Sequence, residues 1–291
     1  MVAAESEVVD DALDVLRRER PDIAVPPIEL IDYGFSSYIL RTGSDFIVRV
    51  ARTPDAAANH SREYRLLQQI HPQISVGIPD PVWRLPAGER SKFGAMAYSR
   101  LAGDPLPRDT TPAPDLISQL SRFLHEVHVS SCPATDPMSA WQRGTVALAR
   151  TSVEHLAREL PPDEHLRLRN WSERFADLVS RRDAGVLVHG DFWHANILTD
   201  GNRLTGVLDW ESATIADPAA DLAPVWDIDP DLGADLLREY QRRDPDPSLD
   251  ERVRMLRIAR NLGGITWSIE NNDPEEYADS LGKVRSVLPL V

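Results

Sequence analysis

A chain of 291 residues, 42% of them apolar and with a formal net charge of −14, can bury a large core, which excludes disorder as its main state. That charge repels nucleic acid and anionic membrane surfaces, and no apolar run reaches the roughly 18 residues needed to span a bilayer. The single Cys132 permits no intramolecular disulfide and argues against a zinc site; with an acidic N-terminal stretch, it leads us to expect a cytoplasmic protein without nucleic-acid or membrane partners, acting as a monomer.

Residues 6–18 read as an amphipathic helix with Val9, Leu13 and Leu16 on one stripe. A strand-rich stretch follows, with strands at 28–33, 37–41 and 46–51 and a turn centred on Gly43. A helix is predicted over 55–70, and two further strands over 82–85 and 94–99. Five strands and their helix make residues 1–100 an N-terminal lobe. Residues 101–114, rich in Pro, Gly and Asp, read as a connector. The rest, 115–291, reads as a mainly helical lobe with helices at 115–128, 140–159, 164–181, 231–243, 250–270 and 274–287. The fold class expected is α+β and bilobal.

One interruption, at 185–209, breaks the helical lobe with short strands and holds the chemistry. An apolar strand runs into His189-Gly190-Asp191, and Asn196 follows five residues after Asp191. Asp200-Gly201-Asn202 then separates two apolar runs, which is a hairpin signal. With the turn near 201–202, Asn196 falls opposite about residue 207, so Asn196 and Asp209 share the hairpin's open end. Phosphoryl transfer passes through a loose, highly charged transition state, so the protein mainly positions groups and supplies countercharge. Asp191 suits the carboxylate that orients a hydroxyl and accepts its proton. The Asn196 amide oxygen and the Asp209 carboxylate suit Mg²⁺, a hard cation that usually takes one or two protein ligands. His-Gly-Asp alone is common in loops, and Asp217-Pro218 reads as an N-cap with proline at the first helical position. The ordered run H-G-D-x4-N, hairpin, D-W and D-P-x2-D-L-A is what carries the reading.

The segments HGDFWHANIL and GVLDWESATIADPAADLA resemble the aminoglycoside phosphotransferase family, relatives of the protein kinases. That resemblance implies a kinase-like fold that moves the γ-phosphate of a nucleoside triphosphate, ATP or GTP, onto a small-molecule hydroxyl. It implies that Leu198 and Leu208 floor the base pocket and that Asp221 braces the catalytic loop, with His189 organising that loop. Met96, Tyr98 and Ser99 correspond to the hinge beside the base. Kinases place a lysine on the third strand, paired with a helix glutamate; here Arg49 and Glu63 stand in their places, with alternation putting Ile47, Arg49 and Ala51 on one face. The segment IVRVARTPD at 47–55 is similar to that of macrolide 2′-phosphotransferases. The run 34–38 replaces the glycine-rich loop with a single glycine, leaving Ser36 and Ser37 to cover the phosphates or an ordinary hairpin turn.

The C-terminal helices are expected to form the acceptor wall. Trp226, Asp227 and Asp229 in one segment, and Trp267 and Glu270 in another, combine apolar surface with a few acids, and Gly263-Gly264 is expected to admit a bulky ligand. That mixture fits a small-molecule antibiotic acceptor, a macrolide 2′-hydroxyl ahead of an aminoglycoside hydroxyl. A regulatory nucleotide-binding pseudoenzyme is the alternative of another class; a protein kinase is opposed by the lack of an A-P-E segment.

Overall fold

The computed structural model describes residues 3–33, 36–108, 113–132, 137–182 and 184–290. Its elements in order are α1 (Ala3–Glu19), β1 (Ile28–Tyr33), β2 (Ser37–Thr42), β3 (Phe46–Ala51), α2 (Pro54–Ile70), β4 (Pro81–Leu85), β5 (Ala95–Ser99) and β6 (Asp104–Pro105). Then come α3 (Pro114–Val129), α4 (Met138–His155), α5 (Pro162–Ser180), β7 (Val186–Val188), β8 (Ile197–Asp200), β9 (Arg203–Val207) and β10 (Thr214–Ala216). Four helices close the chain: α6 (Ala219–Leu222), α7 (Pro230–Arg243), α8 (Leu249–Asn271) and α9 (Pro274–Val287). The sheet-rich N-terminal region and helical C-terminal region make the fold α+β, as expected. The elements absent from the sequence reading are β6, β10 and α6, each too short to show a period.

The contacts divide the chain into two units. The first joins Met1–Pro105, Ser131–Thr135 and Asn196–Ser212. Its antiparallel sheet has the order β1-β2-β3-β5-β4. Central β3 is covered on both faces. Val48 and Val50 join Leu40, Trp83 and Ala97 in a core with Val9, Leu13 and Leu16 of α1, the stripe the helix pattern predicts. Arg49 on the other face meets Glu63 of α2. Thr53 starts α2 as its N-cap, accepting the Ala56 N–H at 3.1 Å, with Pro54 following it. The β8–β9 hairpin, expected within the helical lobe, belongs to this unit because its backbone pairs there. Val207 donates to the Gly77 carbonyl at 2.9 Å, and β6 pairs antiparallel with β8.

The second unit holds Leu106–Ser130, Asp136–Ala195 and Ala213–Val291. Strands β7 and β10 pair antiparallel among helices whose apolar stripes, such as Leu120, Phe123, Leu124 and Val127 on α3, are fully buried. Among the described residues, no helix is long and apolar enough to cross a membrane. The Gly263-Gly264 pair serves helix packing rather than ligand access. A Cβ on Gly264 would lie 2.4 Å from Ser280 Oγ of α9, and one on Gly263 would lie 3.2 Å from Leu148 of α4. Their missing side chains let α8 approach both neighbours, so that space is already filled.

In the first unit, His60 is buried on α2, with Nε2 2.7 Å from Ser37 Oγ. Burial first, then the charges of Arg49 and Arg84, push the ring from 6.5 down to about 3. The folded protein therefore requires a neutral His60. Its contribution is complete above 6.5 and is lost progressively as pH falls from there toward 3. His60→Gln is expected to flatten the acid side of the urea-measured stability profile, by up to about 1.4 kcal/mol per pH unit in that window. Superimposable acid limbs for variant and parent would contradict this.

Candidate active site

The loop 189–195 enters from β7 and is held from two sides within the second unit. Asp221, which has no exposed surface, accepts the His189 N–H on Oδ2 and the Gly190 N–H on Oδ1, each at 2.8 Å. His128 stands behind it, with Nε2 3.1 Å from Asp221 Oδ2 and Nδ1 2.8 Å from the Tyr240 hydroxyl. Burial alone pushes the Asp221 carboxyl up. The His128 hydrogen bond, the charges of His128 and His189 and the Gly190 N–H outweigh it and hold the group below its ordinary value. On the apolar side Phe192 is fully buried, stacked on Phe123 at 5.7 Å. Gly190 takes φ +83°, a left-handed turn that suits glycine and leads directly into Asp191. The Asp191 side chain keeps 38% of its surface exposed, and its N–H donates to His189 Nδ1 at 3.3 Å.

The first unit assembles a charged cluster around the hairpin. Asn196 lies opposite Leu208, whose N–H donates to its carbonyl at 2.8 Å. The simple pairing places it opposite residue 207; a β-bulge between Leu198 and Thr199 adds the extra step. Arg49, 5% exposed, donates through Nη1 to both Glu63 oxygens at 2.9 Å. Its Nη2 reaches Glu211 Oε2 at 3.1 Å and stands 3.6 Å from Asp209 Oδ1. Burial pulls the guanidinium down, but Glu63, with Tyr98, Asp209 and Glu211 behind it, raises it further, so Arg49 is permanently cationic. One cation thus faces three carboxylates.

Asp209 adopts φ +61°, a left-handed conformation that few residues other than glycine tolerate and that recurs at functional positions. Its Oδ1 is buried and has no hydrogen-bond partner. A buried carboxylate oxygen without a hydrogen-bond partner, beside the Glu211 and Glu63 carboxylates, could take a divalent cation. Among the described residues no three His, Cys, Asp or Glu side chains converge as metal ligands. Asp209 and the Asn196 amide are the residues that could hold a cation such as Mg²⁺, which usually takes one or two protein ligands.

Other sequence-predicted residues fall as follows. Leu198 is buried and Leu208 half-buried in the hairpin. Met96 and Tyr98 are buried on β5, where Met96 pairs with Arg49 and Tyr98 with Ile47, and Ser99 is exposed at its end. Gly34 and Phe35 lie outside the described residues. Ser36 donates to Glu211 Oε2 at 2.7 Å. Ser37, expected to cover phosphate, is 1% exposed and its hydroxyl is engaged by His60, so burial removes it from that role. Asp217 accepts the Ala219 N–H at 3.0 Å, as a cap does, and also pairs with Arg252 at 2.7 Å.

On the expected acceptor wall, Trp226 is half-buried between Gly233, where a Cβ would come within 2.4 Å of the indole, and the Arg257 guanidinium, 5.4 Å from its ring centre. Asp227 pairs with Arg260 at 3.2 Å. Asp229 is the N-cap of α7, accepting the Leu232 N–H at 2.8 Å. Trp267 is half-buried and Glu270 exposed near the end of α8. Sequence reasoning missed Glu211, two residues beyond Asp209 in the same motif, and also Phe192, His128 and Arg260. Glu211 and Phe192 lay inside the quoted motif segments; His128 and Arg260 did not.

The phosphotransferase enzyme family model matches residues 27–256, and the chain belongs to that family. Viomycin phosphotransferase of Streptomyces vinaceus is 26% identical over 96% of this chain and 99% of its own length. The chain spans 62% of the length of another curated relative, from Bacillus subtilis (strain 168). Among solved structures, the GDP and kanamycin complex of an APH(2") enzyme superposes with a TM-score of 0.81 at 20% identity, covering 94% of this chain and 97% of the other. Macrolide 2'-phosphotransferase MphH from Brachybacterium faecium gives 0.67 at 20% identity, covering 94% and 98%. These likenesses establish the kinase-like fold.

The two amides held by Asp221 need both of its oxygens as acceptors. Asp221→Asn exchanges one of them for an NH₂ aimed at an N–H, and should lower stability by at least about 2 kcal/mol. A urea midpoint within error of the parent would show that the loop does not depend on this carboxylate.

Proposed function

We propose that the chain is a nucleoside-triphosphate-dependent O-phosphotransferase that inactivates a small-molecule antibiotic, with the 2′-hydroxyl of a macrolide as acceptor. The observation that carries the reaction class is Asp191. It is a partly exposed carboxylate on a loop fixed by Asp221 and Phe192, five residues before Asn196 in the chain. Asp191 orients the acceptor hydroxyl and takes its proton as the oxygen–phosphorus bond forms. Arg49, anchored by Glu63, binds phosphate oxygens of ATP or GTP with a planar fork in place of a lysine's point charge. Asn196 and Asp209 hold Mg²⁺, which when bound supplies countercharge to the phosphates. His189 and Asp221 keep Asp191 in place; Leu198, Leu208 and the backbone of Met96, Tyr98 and Ser99 receive the base. The pseudoenzyme reading loses support because Asp191, Asn196 and Asp209 are all present in the chain.

The acceptor assignment rests on charge. An aminoglycoside brings several ammonium groups and needs a dense acidic surface, whereas a macrolide brings one amine on a large apolar ring. The acids expected to meet a polycation are largely engaged, Asp227 by Arg260 and Asp229 by α7. Trp226 and Trp267 supply apolar surface beside them. The net charge of −14 favours an aminoglycoside hydroxyl as the second reading.

Steady-state assays against erythromycin-like and kanamycin-like panels test the assignment: turnover of macrolides is expected, and efficient turnover of aminoglycosides alone would overturn it. Asp191→Asn should fold and bind nucleotide normally while kcat falls about 10²–10⁴-fold, the scale of a lost general base. Retention of more than roughly half the parent activity would remove Asp191 from that role.

A further inference from the structure

Within the second unit, Arg257, Arg260 and Asn261 lie on one face of α8, spaced so that their side chains are neighbours. Asp227 faces Arg260 and Asn261. Its Oδ2 is 3.2 Å from Arg260 Nη1 and 3.5 Å from Asn261 Nδ2, and Arg257 is close enough to feel its charge. The other end of the same guanidinium, Arg260 Nη2, lies 4.0 Å from Asp191 Oδ1. Arg260 is 34% exposed, so this bridge stands at the accessible surface of the loop, not in the core. The Arg260 guanidinium is therefore shared by two carboxylates, which places a cation directly beside Asp191.

We propose that Arg260 determines acceptor specificity: held by Asp227, its guanidinium occupies the position beside Asp191 that an acceptor ammonium would otherwise take, so the site accepts molecules with at most one cationic group. This rests on the phosphotransferase reading above and names the acceptor class for it. An ammonium approaching Asp191 from this side meets a like charge already in place, and like charges brought together on a binding surface are a strong element of discrimination. An acceptor with one amine can direct it elsewhere; a polycation cannot direct all of them. Asp227 is thus a positioning residue for Arg260, not an ammonium ligand.

The test uses the full chain with nucleotide and Mg²⁺, and kanamycin and erythromycin as probes. Arg260→Gln should raise the kcat/KM ratio of kanamycin to erythromycin by about tenfold or more, and Arg260→Lys, which keeps the charge, should retain the parent ratio. An unchanged ratio in a folded Arg260→Gln protein, or an equal loss for both acceptors, overturns the proposal. The second outcome would make Arg260 a general support for Asp191. Should Arg260→Gln fail to fold, Arg260→Met, which keeps the aliphatic stem and removes the charge, should shift the ratio toward kanamycin in the same way; a ratio unmoved or shifted against kanamycin overturns the idea. Should the parent turn over no acceptor, the phosphotransferase reading fails separately, and calorimetry still decides this one. Kanamycin should bind Arg260→Gln about tenfold more tightly than the parent, and equal affinities would refute it.

Discussion

A buried carboxylate gripping two successive backbone amides is the interaction on which the loop, and with it the proposed chemistry, depends. The loop after β7 belongs to no sheet at His189 and Gly190, so their N–H groups need another acceptor, and buried donors left unpaired are costly. Asp221 supplies both oxygens, one to each amide. That grip sets the backbone at Gly190, whose left-handed turn delivers Asp191 outward while Phe192 goes inward onto Phe123. A polar clamp before Asp191 and an apolar anchor after it leave the partly exposed carboxylate little freedom. In the proposed reaction, a group oriented in advance would lower the entropic cost.

The first unit solves a different problem. Burying Arg49 is unfavourable unless its charge is compensated, and Glu63 does so with two hydrogen bonds through one guanidinium nitrogen. The second nitrogen faces Glu211 and Asp209. Compensation by three carboxylates overshoots. Burial accordingly pushes Glu63 up to about 7, with Asp209 and Glu211 acting in the same direction against the pull of Arg49. Asp209 closes this cluster with a left-handed backbone and a buried oxygen that has no hydrogen-bond partner, the feature on which the proposed metal site rests.

Much of this was legible in the sequence because it is local. The hairpin register needed only the Asp200-Gly201-Asn202 turn, and strand alternation was enough to turn Arg49 toward Glu63. The bulge at Thr205 of β9 displaced the register by one residue because nothing in a single strand's pattern announces an extra residue. The acceptor side was less legible. Asp229 as an acceptor residue and as a helix N-cap give the same sequence, and only the Leu232 N–H separates them. Gly263-Gly264 looks the same whether it admits a ligand or a neighbouring helix. Arg260 sits some seventy residues from Asp191 on a helix without a motif, and its position beside that carboxylate is a product of tertiary packing alone.

The central claim is direct transfer of the terminal phosphoryl group to an acceptor hydroxyl. It is tested most directly by incubating the protein with erythromycin and a nucleoside triphosphate whose γ-phosphoryl oxygens carry heavy oxygen, then weighing the acceptor by mass spectrometry. The account predicts an acceptor heavier by one phosphoryl group that retains the label, with fragmentation placing it on the amino sugar. Label recovered only in inorganic phosphate, with the macrolide and a parallel kanamycin sample both unmodified, would contradict it.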